Sequence, residues 1–254
     1  CTGEAVSLST RLRFEPVTTT LGTAGFTSAT SSGTINVLGA GSGPTGTLTI
    51  TGSFSGGLDL QSNANVVLGT TGTTAIGISG GVTVGAGSTL VVANLSNGGS
   101  AGSLGAAAAT ATNLLIDGGT LKYVGSGAQS TDRLFSIGSS STNGGGATLD
   151  ASGATSADTI SFLGVGSIGF NGMSATVGTG AAETGARTLT LTGTNTGANT
   201  LTSVIGDQAA TTGVTSVTKT GAGTWVLNGS NTYTGLTSVT NGILNIQHAD
   251  ALGS

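Results

Sequence analysis

The apolar residues of this chain come in short runs, with polar or glycine-rich corners between them. From Thr34 to Ala93 the runs read INVL, TLTI, LDL, VVL, IGI, VTV and TLVVA, about eight to ten residues apart. The pattern reads as strand after strand, with Gly, Ser or Asn between. From Leu114 the pattern resumes with LLI, TLKYV, LFSI, TLD, ISF, IGF, ATV and TLTL. Val217 to Ser254 holds three more runs, Thr224–Leu227, Leu236–Val239 and Ile243–Ile246. None of these is long enough for a helix. Gly221, Gly223, Gly229, Gly235 and Gly242 stand between them, and glycine and asparagine are the residues that tolerate the positive φ of a sharp turn.

Three strands in about thirty residues, turning the same way each time, make one coil of a β-solenoid. The spacing alone also fits a β-sandwich. Two features favour the solenoid: aromatic residues are only 4% of the chain, too few for a typical sandwich core, and Gly and Asn mark the corners at regular intervals. At roughly 20–30 residues per coil the chain makes about ten coils, and at ~4.8 Å each the rod is ~50 Å long. Corner asparagines are expected to bond to equivalent asparagines above and below. Leu95–Asn113 interrupts the pattern. Its run of four alanines is too short for a stable helix, so it reads as a loop or loose coil dividing two stacks.

Residues 1–16 differ from the rest of the chain. They carry Glu4, Arg11, Arg13 and Glu15, and Val6, Leu8, Leu12 and Phe14 alternate with polar residues. This strand caps the open end of the solenoid, or it pairs with the open end of a neighbouring molecule. The organisation expected is residues 1–16 as this strand and 17–254 as the coil stack.

Composition narrows the class. Glycine supplies 48 residues without a three-residue period, which excludes collagen. A mean hydropathy of +0.30 with only 6% charged residues excludes disorder. A net charge of −4 with no cationic cluster argues against nucleic acid and against an anionic membrane surface. The surface must be solvated by Thr, Ser, Asn and backbone, which suits extracellular fibres and carbohydrate contact. Cys1 is the single cysteine, so no intrachain disulfide forms. It marks a site of lipidation or cross-linking, or else a cleavage boundary. No run of eighteen apolar residues is present, so no transmembrane helix is expected.

Candidate chemistry is thin. Gly98-Gly99-Ser100-Ala101-Gly102 matches G-x-S-x-G, and His248 and Asp250 complete a triad on paper. The motif belongs to a strand-to-helix elbow, and no helix follows. The two G-x-G-x-x-G matches, at 41–46 and 164–169, open no helix either, so no helix N-terminus holds a pyrophosphate. No Cys/His set fits zinc. Gly144-Gly145-Gly146 before Asp150 lacks the spacing of a calcium repeat. A polysaccharide-active enzyme needs converging carboxylates, and ten acids are spread over 254 residues. Asp117 with Lys122, and Asp132 with Arg133, read as local ion pairs. Asp150, Asp158 and Glu183 read as solvated turn residues. No catalytic residue, metal or cofactor is assigned.

Residues 218–253, beginning T-K-T-G-A-G-T-W-V-L-N-G-S-N-T-Y-T-G and closing with Ala251-Leu252-Gly253, resemble the passenger-associated repeat of bacterial autotransporter proteins. Residues 114–199 look like the material that precedes such repeats in large Gly/Thr-rich surface proteins, and the first hundred residues match in composition only. The resemblance implies a right-handed parallel β-helix with short Gly/Asn corners, exported to the bacterial surface or secreted, and no particular activity. The reading is therefore a non-enzymatic structural protein stacking end to end into a filament or surface layer, or a stalk of an autotransporter adhesin. Self is the expected partner through Val6, Leu8, Leu12 and Phe14 at one end and Ile243, Leu244 and Ile246 at the other, with surface glycans or the outer membrane as further partners.

Overall fold

Strand follows strand in parallel, each hydrogen-bonded to its counterpart one round earlier and one round later. The computed structural model describes residues 12–13, 19–21, 34–38, 47–50, 56–69, 76, 78–138, 145–170, 185–208 and 213–254. The described chain enters with β1 (Leu12–Arg13) and β2 (Thr19–Leu21). It repeats that pair as β3 (Ile35–Leu38) and β4 (Leu48–Ile50), β5 (Leu58–Ser62) and β6 (Asn65–Leu68), then β7 (Val82–Val84) and β8 (Thr89–Val92). From β9 (Leu114–Ile116) and β10 (Thr120–Tyr123) each round gains a third strand, here β11 (Gln129–Thr131). Two such rounds follow: β12 (Ser136–Ile137), β13 (Ala147–Ala151) and β14 (Ile160–Phe162), then β15 (Gly169–Phe170), β16 (Arg187–Thr192) and β17 (Asn199–Leu201). The last two rounds carry two strands each, β18 (Thr215–Lys219) with β19 (Thr224–Leu227), and β20 (Thr237–Val239) with β21 (Ile243–Ile246).

The result is three parallel sheets: seven strands from β1 to β15, nine from β2 to β20, and five from β11 to β21. The protein is all-β with parallel strands in stacked sheets, the arrangement of a β-solenoid. The nine strands of the second sheet, at ~4.8 Å each, give ~40 Å along the stack. Successive strands of the second sheet lie 18 residues apart between Leu48 and Val66 but 42 apart between Leu149 and Leu191. The rounds are less even than the sequence suggests, while the second sheet keeps a continuous parallel register.

Alternate strand residues form columns. One inward column of the second sheet runs Leu48–Val66–Leu90–Leu121–Leu149–Leu191, then Lys219 and Val239. The six apolar residues from Leu48 to Leu191 are buried, each worth about 1.5–3 kcal/mol relative to exposure. The neighbouring outward column is Thr120–Thr148–Thr190–Thr218. Threonine suits a strand by its β-branch and water by its hydroxyl, which explains how so few charges solvate the stack. Phe162 of the third sheet meets Phe135, the residue before β12 of the first sheet, edge to face at 5.6 Å.

Several local expectations change. The IGI run is not a described strand: Ile76 makes an antiparallel bridge to Gly102, and Ile76 and Ile78 are buried in the core. In the third sheet β11 is wholly polar and β17 has Leu201 as its one apolar residue, so neither carries an apolar run. Residues 95–113 leave the sheets between β8 and β9, yet β8 pairs with β10 and β7 with β9 across them. Leu95 and Leu104 from this excursion join the hydrophobic core, and it ends in a 3-10 turn, Ala111–Asn113.

Candidate functional surface: the last rounds and the end of the stack

Of the residues expected to join molecules, Val6, Leu8, Phe14 and Cys1 lie outside the described residues. Leu12 lies in β1, at the edge of the first sheet, with Val37 as its partner. Ile243, Leu244 and Ile246 belong to β21, the edge strand of the third sheet. They do not form one face. Leu244 follows Asn199 and Trp225 in one inward column, and Ile246 continues Phe162–Leu201–Leu227. Ile243 stands on the outer side and is 58% exposed. Val239, which is not among the contact residues expected from the sequence, ends the inward column of the second sheet and is 51% exposed.

The two rounds below this end are tied by side chains reaching into the next coil. Lys219 stands in the leucine column yet is fully buried. Its Nζ donates to the carbonyls of Thr220, of Gly221 at 2.8 Å and of Asn241 at 3.1 Å, so one ammonium holds two successive corners. Those corners must be glycine: Gly221 and Gly242 have φ of 66° and 73°, as Gly193 of the round before has 118°. A Cβ on Gly221 would sit 2.5 Å from the Gly193 carbonyl, and one on Gly242 2.4 Å from that of Gly221. Trp225 is buried and its indole N–H donates to the Thr192 carbonyl at 2.8 Å. Asn231 accepts from the Ile205 amide at 2.8 Å and donates to the Ala251 carbonyl at 2.7 Å, joining three rounds. The Tyr233 hydroxyl, 2.7 Å from Thr237 Oγ1, is satisfied inside the stack; burial pushes its pKa up.

Asparagine works differently from the expected ladder. Asn199 is followed in its column by Trp225, not by another Asn. It donates to the Thr224 carbonyl at 2.9 Å and accepts from the Ile160 amide at 3.0 Å. Asn195 donates to the carbonyls of Gly153, Thr155 and Asp158. Each amide thus satisfies main-chain groups of neighbouring coils, as buried backbone demands.

The charged residues are also structural. Lys122 and Asp150 are register partners on the outer face and pair at 3.5 Å, so Asp150 is a strand residue and Lys122 has its ion pair across the ladder. Asp158 is buried rather than solvated. The amide of Gly127 at 2.6 Å, with the hydroxyl and amide of Thr155, holds its carboxyl below the ordinary 3.8. Ser100 lies in a turn after β8 and His248 in a turn after β21, so the structure does not bring the paper triad together. His248 Nδ1 accepts from the Asp250 amide at 3.1 Å. Gly164–Gly169 connects β14 to β15. Gly41–Gly46 and Glu183 lie outside the described residues.

Nothing in the sequence marks Arg133 as a buried group. Its guanidinium donates to the carbonyls of Ala107 at 2.8 Å and Gly105 at 2.7 Å, and Nε donates to Ser96 at 3.2 Å. Asp132 Oδ1 accepts from the Gly98 amide at 2.7 Å. Asp132 and Arg133 therefore clamp the excursion 96–107 onto the stack together. Arg133→Met should release it: amide exchange across 96–107 should accelerate at least about tenfold, with β16 to β21 unchanged, as local opening requires. Unchanged exchange across 96–107 would remove the clamp from the account.

One comparison with known proteins falls on this same region. The passenger-associated-transport-repeat model matches residues 217–246. A stretch of 93 residues, 37% of this chain, is 42% identical to the Adhesin BmaC autotransporter of Brucella suis biovar 1 (strain 1330), of which it covers 3%. The chain thus spans a small part of the length of the curated relative it matches. No solved structure matches. Residues 217–246, with the round held by Lys219 and Trp225, thus match the passenger-associated-transport-repeat model, in a chain similar over 93 residues to an autotransporter adhesin.

Proposed function

We propose that this chain is a stretch of an autotransporter passenger displayed at the surface of a bacterium or released from it. In this reading it is a closed, right-handed parallel β-helix acting as a non-enzymatic stalk. The observation that carries the reading is that the repeat's residues do structural work: Lys219, Trp225 and Asn231 each bind main chain of another round. Parallel strand crossovers are right-handed in nearly all proteins, which supports the hand. The non-catalytic role rests on Asp132, Asp150 and Asp158, which serve corners and a strand pair rather than facing a common cleft. Recognition of cells, glycans or the outer membrane falls to the threonine-lined outer columns, to the corners, or to parts outside this chain.

A second reading has its own observation. The inward columns end at Val239, Leu244 and Ile246, and their exposure invites end-to-end stacking of copies into a filament or layer. Electron microscopy of the purified 254-residue chain over a range of concentrations separates the two. Separate rods at every concentration are expected. Filaments with an axial repeat near one subunit length would replace the stalk by a self-assembling subunit. Antibody labelling and protease shaving of intact cells test the display itself. A chain that is labelled only after lysis, with none in the medium, contradicts the stalk reading.

A further inference from the structure

Asn97 and Gly98 form an Asn-Gly pair in the turn after β8, and two residues that follow β11 close on the peptide unit between them. The Gly98 amide donates to Asp132 Oδ1 at 2.7 Å. The Asp132 amide donates to the side-chain carbonyl oxygen, Asn97 Oδ1, at 3.0 Å. The main-chain carbonyl of Asn97 accepts from the Ser100 amide at 3.1 Å and from Arg133 Nη2 at 3.4 Å. Gly98 is fixed by packing, since a Cβ there would lie 2.2 Å from the Ala109 nitrogen. The same lack of a side chain leaves its own nitrogen unshielded. Asn97 is exposed, so water reaches the site.

Each contact falls where one reaction needs it. In an Asn-Gly pair the chain itself holds the glycine nitrogen within reach of the asparagine Cγ, so closure of a five-membered ring is an intramolecular attack. The Asp132 carboxylate is placed to take the Gly98 N–H proton as general base. The negative charge left on the peptide unit spreads to the Asn97 main-chain oxygen, which faces Arg133 and the Ser100 amide. The charge that develops on Oδ1 as nitrogen adds to Cγ meets the Asp132 amide. The N–Cγ bond forms, the Cγ–Nδ2 bond breaks, and the proton held by Asp132 leaves with Nδ2 as ammonia. Water then opens the cyclic imide at either carbonyl, leaving an aspartyl or isoaspartyl residue at position 97. Nothing is oxidised or reduced. We infer that Asn97-Gly98 is a self-modifying site at which Asp132 promotes loss of the Asn97 amide, turning a neutral corner anionic at the clamp on residues 96–107. The carboxylate left at 97 faces that of Asp132, and the repulsion of like charges loosens the clamp. The inference is independent of the stalk reading, since it uses only contacts within the coil.

The chain supplies its own control. At Asn241-Gly242 a cation is present, with Lys219 Nζ on the Asn241 carbonyl at 3.1 Å, but the glycine amide donates to Asn241 Oδ1 at 2.8 Å rather than to a carboxylate. The test incubates the full chain folded and unfolded in guanidinium chloride, and maps imide and acid at both sites by peptide mass. Folded, Asn97 should convert at least about tenfold faster than unfolded, less than a fully positioned base contributes, and Asn241 should not. Asp132→Asn keeps an acceptor for the Gly98 amide and removes the base, so it should cancel the gain. Exchange across 96–107 should accelerate once Asn97 has converted. Conversion of Asn97 no faster folded than unfolded would overturn the inference, because the contacts would then protect the amide. So would an Asp132→Asn chain that converts as fast as the parent. Equal acceleration at Asn241 would credit the cation and overturn the role of Asp132, and unchanged exchange across 96–107 in the converted chain would overturn the link to the clamp.

Discussion

Replacing Trp225 by alanine should destabilise the final rounds by about 3–5 kcal/mol, the range for deleting a large buried aromatic. The indole is 1% exposed, lies between Asn199 and Leu244 in its column, and donates to the Thr192 carbonyl at 2.8 Å. Alanine removes the apolar contact, opens a cavity that flanking sheets cannot collapse into without losing register, and leaves a carbonyl without its partner. Trp225→Phe keeps much of the volume and loses the N–H, so it should cost about 1–2 kcal/mol, the scale of one buried hydrogen bond plus a small void. Urea titration followed by circular dichroism measures both. In the unaltered chain Trp225 is the single tryptophan, so its fluorescence reports on this round alone. In a stack whose units contact only their neighbours, the fluorescence midpoint need not coincide with that of the whole chain. A Trp225→Ala midpoint within error of the parent would mean that the column does not carry these rounds.

The strands of the second sheet are legible in the sequence because their inward residues are leucine and valine alternating with threonine. Leu121, Leu149 and Leu191 align in the structure as that alternation implies. The corners are legible for a related reason: glycine at Gly221 and Gly242 is the residue type that the positive φ there demands. The third sheet is harder to read, since β11 and β17 turn Gln129 and Asn199 inward. A buried amide that satisfies backbone of the next coil leaves no hydrophobic signal. Arg133 and Lys219 escape for the same reason, as a buried cation bound to carbonyls is indistinguishable by residue type from a solvated one. Hydrophobicity points to the contact residues at the closing end, but their division into inward Leu244 and Ile246 and outward Ile243 needs the register with Trp225 and Leu227.

Lys219 gives the second large effect, and it sets two forces against each other. Burial of its ammonium is unfavourable and holds the pKa below the ordinary 10.5. Against that, Nζ serves the carbonyls of Thr220, Gly221 and Asn241, and hydrogen bonds to a charged donor contribute about 1.5–3 kcal/mol. Lys219→Leu would complete the leucine column and remove the desolvation, but it leaves the carbonyls of two corners to find water at a tightly packed glycine turn. The orphaned acceptors outweigh the apolar gain, and a net loss of about 2 kcal/mol is expected by that arithmetic. The pH dependence reads the balance of these two forces. A lysine whose folded pKa is lowered binds its proton less tightly folded than unfolded, so its contribution to stability rises as pH climbs from the folded pKa towards 10.5. The gap between the parent and Lys219→Leu should therefore widen on the alkaline side of neutrality in urea titrations. A gap that is constant with pH would mean that the carbonyl bonds offset the desolvation of the ammonium in full, and a variant more stable than the parent would show that the leucine column, not the corner clasp, governs this coil.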